Sequence, residues 1–209
     1  MIETTTLFTY FASSIVIILA PGPAQALVIA QTISGGRSAG VITAIGLNTA
    51  TFVQAVGAAL GLSAIFATST LAFAIVKYVG AAYLVYLGIC SFKTQQNING
   101  IQVLATGVPI KYFSKAFITG ILNPKVALFF FAFVPQFVDT QRGWIIGQFI
   151  LLGGILAILD AIYESGLAVI VASARNWIGE NKIINLWRQR VTGTVLIGLG
   201  FRLFFIDHF

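Results

Sequence analysis

Prolines set inside long apolar runs constrain this chain more than any other feature. Pro21-Gly22-Pro23 lies within the run Phe8–Thr32, and Asn123-Pro124-Lys125 lies within Phe117–Phe137. A proline removes a backbone N–H and clashes with the preceding turn, so each run is expected to form a broken helix. Hydrocarbon has no partner for the polar groups that a break sets free. Such a break survives only against protein or a water-filled cavity.

Composition says that these runs meet hydrocarbon. The 209 residues are 58% hydrophobic and 9% charged, with a mean hydropathy of +0.95. About 20 apolar residues cross a bilayer as a helix. Six spans are predicted: Thr6–Thr32, Val41–Phe66, Leu71–Phe92, Phe113–Phe137, Gly143–Ala172 and the short Val191–Ile206. The alternation that marks a membrane β-barrel is absent. The expected fold is all-α: one polytopic transmembrane domain over residues 1–209, since the longest predicted loop, Lys93–Tyr112, is too short for a soluble domain. Glu3 and the lack of any Lys or Arg before Arg37 argue against a cleaved signal peptide. Cys90, the single cysteine, falls within a span and says nothing about redox compartment.

The net charge of +6 is scattered over loops, without the continuous stripe that nucleic acid requires. Positive-inside topology accounts for it better. Odd loops and their flanks carry eight basic residues, among them Arg37, Lys93, Lys111, Lys115 and Arg175, whereas even loops carry only Arg142. Both termini are therefore predicted outside, with odd loops cytoplasmic.

Six spans would make a repeat between the halves, about 1–95 and 112–209, an inverted one. Pro21 and Pro124 stand 103 positions apart, as do the starts of the second and fifth spans, Val41 and Trp144. Lys77-x-x-Gly80 with Leu87-Gly88 is echoed by Arg190-x-x-Gly193 with Leu199-Gly200. Two inverted three-helix repeats, with helices 1 and 4 broken, follow as the expected architecture. Corresponding breaks in two halves point to a transporter binding site at their interface.

Several motifs carry a family resemblance. Pro21-Gly22-Pro23, Gly36-Arg37-x-x-Gly40 and Lys77-x-x-Gly80-Ala81-Ala82-Tyr83-Leu84-x-Tyr86-Leu87-Gly88 are three of them. The fourth runs from Phe117 through Gly120 and Asn123-Pro124-Lys125 to Phe129-Phe130-x-Ala132-Phe133-x-Pro135-Gln136-Phe137. Together they resemble the LysE/RhtB amino-acid exporter family, from about Phe8 to Leu203. The resemblance implies efflux of amino acids or close derivatives across the bacterial inner membrane, powered by the proton gradient.

The residues themselves suggest how. Asp160 and Glu164 are i and i+4 near the middle of the fifth span, on one helix face. Intramembrane acids usually mark a pathway or proton relay. Two like charges in one dry site cannot both ionise easily, which suits a proton carrier. A structural ion pair with Lys125 or Lys77 is the plainer alternative. After Pro21, Gly22 and Pro23 a new half-helix begins, and the N–H groups near Ala24 and Gln25 favour an anion such as a substrate carboxylate. Pro23 suits a first helical turn. Around Asn123 and Pro124, freed carbonyls and the Asn123 amide suit an ammonium group. Lys125, about 15 Å from either interface, lies too deep to snorkel and is expected to pair with Asp160, Glu164 or substrate. In the second span, Asn48, Thr51 and Gln54 offer polar contacts, to substrate or to another helix. Gly57 and Gly61 correspond to Asp160 and Glu164 at the 103-residue offset, so they are expected to leave room opposite the acids. Phe129, Phe130, Phe131 and Phe133 are read as facing lipid or neighbouring helices. Trp144, Trp177 and Trp187 are read as interface anchors.

Rival functions fit less well. One Cys and the single His208 cannot build an ordinary zinc site. No nucleophile motif or phosphate loop accompanies the acids, so neither an enzyme nor direct ATP use is expected. No cofactor or metal is expected either. The expected partners are amino-acid substrate, protons and lipid, and a homo-oligomer is allowed. A channel or facilitator without proton coupling is the alternative.

Overall fold

The computed structural model describes residues 2–20, 22–68, 108–139 and 141–173, with scattered helical positions between 71 and 89 and between 190 and 201. The predicted third and sixth spans lie mostly outside the described residues, as do Pro21, Lys77, Lys93, Trp177, Trp187 and Arg202.

Every described element is helical. Helix α1 (Thr4–Leu19) stops at Ala20, whose backbone turns extended (φ −60°, ψ 118°). Helix α2 (Pro23–Thr68) starts with proline in its first turn, where the missing N–H is no loss. It is not straight. Gly36 has φ 79° and ψ −176°, a left-handed conformation that glycine tolerates best.

The chain reverses there. Ala24, Leu27 and Val28 of the first arm (23–35) pack with Ala44 and Leu47 of the second (37–68). A Cβ on Gly40 would collide with the Thr32 side chain and come within 2.7 Å of Ala168. Gly36 thus makes the bend, and Gly40 lets the arms touch. The predicted first span falls on α1 and the first arm, and the predicted second span on the second arm.

Helix α3 (Pro109–Ile121), helix α4 (Pro124–Leu128), a π turn (Phe129–Phe133) and a 3-10 turn (Val134–Phe137) form the predicted fourth span, bent by 46° at the Asn123-Pro124 break. The Asn123 side chain caps α4 by accepting from the Lys125 N–H (3.1 Å). Helix α5 (Ile145–Ser173) is the predicted fifth span. By length and hydropathy, Pro23–Gly61 and Ile145–Ser173 suffice to cross a bilayer, and the bent pair Pro109–Ile121 with Pro124–Phe137 is a third candidate. The exterior is apolar: Phe8, Leu60, Ile158, Ile162 and Ile170 are exposed, while Asn48, Gln25 and Glu164 are buried. That distribution suits hydrocarbon outside and polar chemistry within.

Two clusters hold the helices together. One is built from large side chains: Tyr10, Ile17, Phe129, Phe130, Phe133, Phe137, Phe149 and Leu152. Tyr10 crosses edge-on to Phe137 at 5.2 Å between ring centres and donates its hydroxyl to the Leu152 carbonyl (2.8 Å). Phe129, Phe130 and Phe133 are thus core residues, packed on neighbouring helices rather than on lipid. The other cluster is Ala24, Leu27, Val28, Ala44, Leu47, Ala116 and Ala168, where small side chains let backbones approach. Gly46 meets the Phe113 carbonyl at 2.6 Å from an added Cβ, and Gly120 meets Ala50 at 2.6 Å.

Candidate functional site

The two breaks face each other. The α1 break leaves the carbonyls of its last turn without the next turn's N–H donors. Lys125, from the other break, supplies donors instead. Its Nζ donates to the carbonyls of Ile17 (3.2 Å) and Ala20 (3.0 Å). Gly22 brings its backbone close: an added Cβ there would lie 3.6 Å from that Nζ. Gln25 adds a further donor, from its Nε2 to the Ile18 carbonyl. At the second break the Ile121 carbonyl accepts from Gln54 Nε2 (2.9 Å). Ile18 and Ile121 stand 103 positions apart, and the carbonyl of each accepts from a glutamine of α2.

A small cavity lies between these groups. Ala24, Gln25, Leu47 and Thr51 line it from α2, Gly120 from α3, Asn123, Lys125 and Val126 from the second break, and Asp160 and Glu164 from α5. Its volume is about 10 Å³, room for one water. The polar groups therefore stand close together around a space of about one water.

Glu164 is 1% exposed. Its Oε2 accepts from Asn48 Nδ2 (3.0 Å), and the same amide nitrogen donates to the Ala44 carbonyl (2.9 Å). Both contacts need the nitrogen, which fixes the Asn48 amide and leaves Oδ1 as a buried acceptor without a partner. Gln25 is similar: its Nε2 is engaged and its buried Oε1 is unpaired. Asp160, one turn before Glu164, is half-buried on the same wall. The cavity thus combines one ammonium, two carboxyl groups and the unpaired amide oxygen of Gln25, with Asn48 behind Glu164. Such a set can receive a zwitterion or exchange a proton between competing partners.

Most of the residues read from sequence converge here. Ala24, Gln25, Asn123, Lys125, Asp160 and Glu164 line the cavity, and Asn48 joins it through Glu164. Pro23 and Pro124 are exposed at the first turns of their half-helices, where they set the breaks. Gly22 abuts Lys125, and Pro21 lies outside the described residues. Thr51 lines the cavity, but Gln54 is occupied by Ile121. Leu47, Gly120 and Val126 were not anticipated, because nothing marks an apolar lining residue among so many apolar neighbours. Gly57 does not make room for the acids: it is exposed, and among the described residues no atom lies within 4 Å of an added Cβ. Among the described residues no cluster of three or more His, Cys, Asp or Glu suits a metal.

The family described as LysE type translocator matches residues 15–206, nearly the whole chain. The chain belongs to this family. It is a family of transporters, and the chain is a membrane transporter rather than an enzyme. The chain is 34% identical to the uncharacterized membrane protein YrhP of Bacillus subtilis (strain 168), over 94% of this chain and 97% of that one. It is 30% identical to a homoserine/homoserine lactone efflux protein of Salmonella typhimurium, over 82% of each. It is 29% identical to a leucine efflux protein of Salmonella choleraesuis, over 94% of this chain and 93% of that protein. No solved structure matches significantly.

Proposed function

We propose that this translocator exports amino acids or close derivatives from the bacterial cytoplasm in exchange for protons. The observation that carries the reading is the convergence of Lys125, Asp160 and Glu164 on one cavity between two broken helices. The relatives named for leucine and for homoserine or its lactone support a neutral amino acid or derivative as cargo.

The proposed architecture is six transmembrane helices in two inverted three-helix repeats, with both termini outside the inner membrane. The two helix breaks, 103 positions apart at Pro21 and Pro124, support the repeat. The excess of basic residues in odd loops supports the orientation.

In the proposed cycle, substrate enters from the cytoplasm while an acid of the Asp160–Glu164 pair is ionised. The substrate carboxylate is received by Lys125 and the first-turn N–H groups at Ala24 and Gln25. Its ammonium is received by the ionised acid. Opening to the outside releases substrate, and an external proton neutralises the acid for the return. A cavity with room for about one water suits alternating access better than a wide pore.

The test is counterflow of labelled amino acids in proteoliposomes, with and without an imposed pH gradient. Saturable exchange of one or a few neutral amino acids, accelerated by the gradient, is expected. Flux that ignores the gradient would favour a facilitator, and no exchange by folded protein would overturn the reading.

A further inference from the structure

Gln31 is 1% exposed, yet neither its amide nitrogen nor its amide oxygen has a hydrogen-bond partner. Buried polar groups are paired as a rule, and an apolar side chain of similar shape would avoid the cost. The position of Gln31 offers a reason. It lies on the first arm of α2, seven residues after Ala24, hence on the same helix face and about 10 Å further along. Ala24 lines the cavity. One turn beyond Gln31 on that face is Gly35, where an added Cβ would stand 2.6 Å from the hydroxyl of the buried Tyr112.

Gln31 therefore lies between the central cavity and the Gly36 bend, on the side of the cluster of Leu27, Val28, Ala44, Leu47 and Ala116, with the ring of Tyr112 beside Gly35. The opposite side contains the large rings of Tyr10, Phe129 and Phe133. Exposing the amide from the Gly36 end moves aliphatic side chains and the single ring of Tyr112, whereas the opposite side needs several rings to move.

We propose that Gln31 is a loading station for the zwitterionic substrate, on the route from the Gly36 end of the protein to the cavity. Its NH2 donates to a carboxylate and its oxygen accepts from an ammonium, so one neutral side chain matches both ends of an amino acid. A neutral amide also releases its ligand more readily than a charged group, as a waypoint must. The inference deepens the exporter reading and rests on it, including the assignment of the Gly36 end to the cytoplasm.

Full-length protein in oriented proteoliposomes tests it, with Arg37→Cys labelling to define the side and Cys90→Ala as background. Gln31→Leu is expected to raise the half-saturation concentration on the Arg37 side by about fivefold to tenfold, the loss of one or two neutral hydrogen bonds, with the opposite side unchanged. Its thermal stability is expected to equal or exceed that of wild type. Unchanged half-saturation on both sides would overturn the proposal. Gln31→Cys provides a readout that survives a folding defect in the leucine variant. It is expected to react with an impermeant maleimide from the Arg37 side only, more slowly with saturating amino acid from the counterflow screen. No labelling, or labelling from the opposite side, would also overturn it. If wild type moves no amino acid, it is the exporter reading that fails, and the side of Gln31→Cys labelling still decides the access route.

Discussion

Lys125 Nζ donates to the carbonyls of Ile17 and Ala20, so a lysine from one helix break satisfies the end of the other broken helix. The contact joins the two halves at the point where each is discontinuous. It also keeps an ammonium in the same cavity as Asp160 and Glu164.

Lys125→Met keeps the length of the side chain and removes both donors and the charge. It is expected to reduce export by at least tenfold and to destabilise the protein by about 1–3 kcal/mol, the cost of taking a charged donor from the buried Ala20 carbonyl, while the Ile17 carbonyl keeps the Ala20 N–H. Counterflow and thermal melting in detergent measure the two effects. Near wild-type flux would remove Lys125 from the binding site.

The bond from Asn48 to Glu164 links the second arm of α2 to α5 across the cavity. Asn48→Leu strands a buried carboxyl oxygen and should cost about 1–3 kcal/mol. Glu164→Gln in the same protein should recover part of that cost, because the stranded group is no longer ionisable. A double-mutant cycle is expected to give a coupling of about 1 kcal/mol or more. Additive effects would mean that the contact carries no weight.

Glycine positions separate packing from site chemistry. A Cβ on Gly153 would collide with Ala55, where α5 crosses α2. Gly153→Val is expected to cost about 1–3 kcal/mol through overpacking. Gly57→Leu, on an exposed face, is expected to transport like wild type. Melting temperatures and counterflow rates for the two variants, side by side, check this contrast.

At the Glu3 end of α1, Arg142 pairs with Glu3 (2.7 Å) and Asp139 (2.8 Å), all exposed or partly so. Exposed pairs contribute about 0–1 kcal/mol. Glu3→Gln is therefore expected to shift stability by less than about 1 kcal/mol. Gln148 is a different case. Its buried side chain accepts from the Asp139 N–H (2.9 Å) and donates to the carbonyls of Asp139 (2.9 Å) and Gly143 (2.8 Å). Gln148→Leu should destabilise more than Glu3→Gln, as denaturation of the two variants would register.

Proline and the long apolar runs made the spans and breaks legible, because both act through local backbone chemistry. Asp160, Glu164 and Lys125 were legible because charge inside an apolar run demands an explanation. The hairpin at Gly36 was less so: Gly36-Arg37 read as an ordinary loop, while the left-handed φ and the contact of Gly40 with Thr32 are properties of the fold. The sequence leaves Gln54 open between substrate and another helix, and its bond to the Ile121 carbonyl decides for the helix. The burial of Phe129, Phe130 and Phe133 depended on which way the π turn faced. Hydropathy alone cannot tell a core ring from one that faces lipid.

The most direct test of the central claim is proton movement during substrate flux in proteoliposomes carrying wild type or Asp160→Asn. An entrapped pH indicator and a labelled amino acid would report both species at once. Wild type is expected to move protons opposite to substrate, and Asp160→Asn to lose that proton flux and the response to an imposed gradient. Full gradient-driven flux in Asp160→Asn would contradict the assignment of proton coupling to this site.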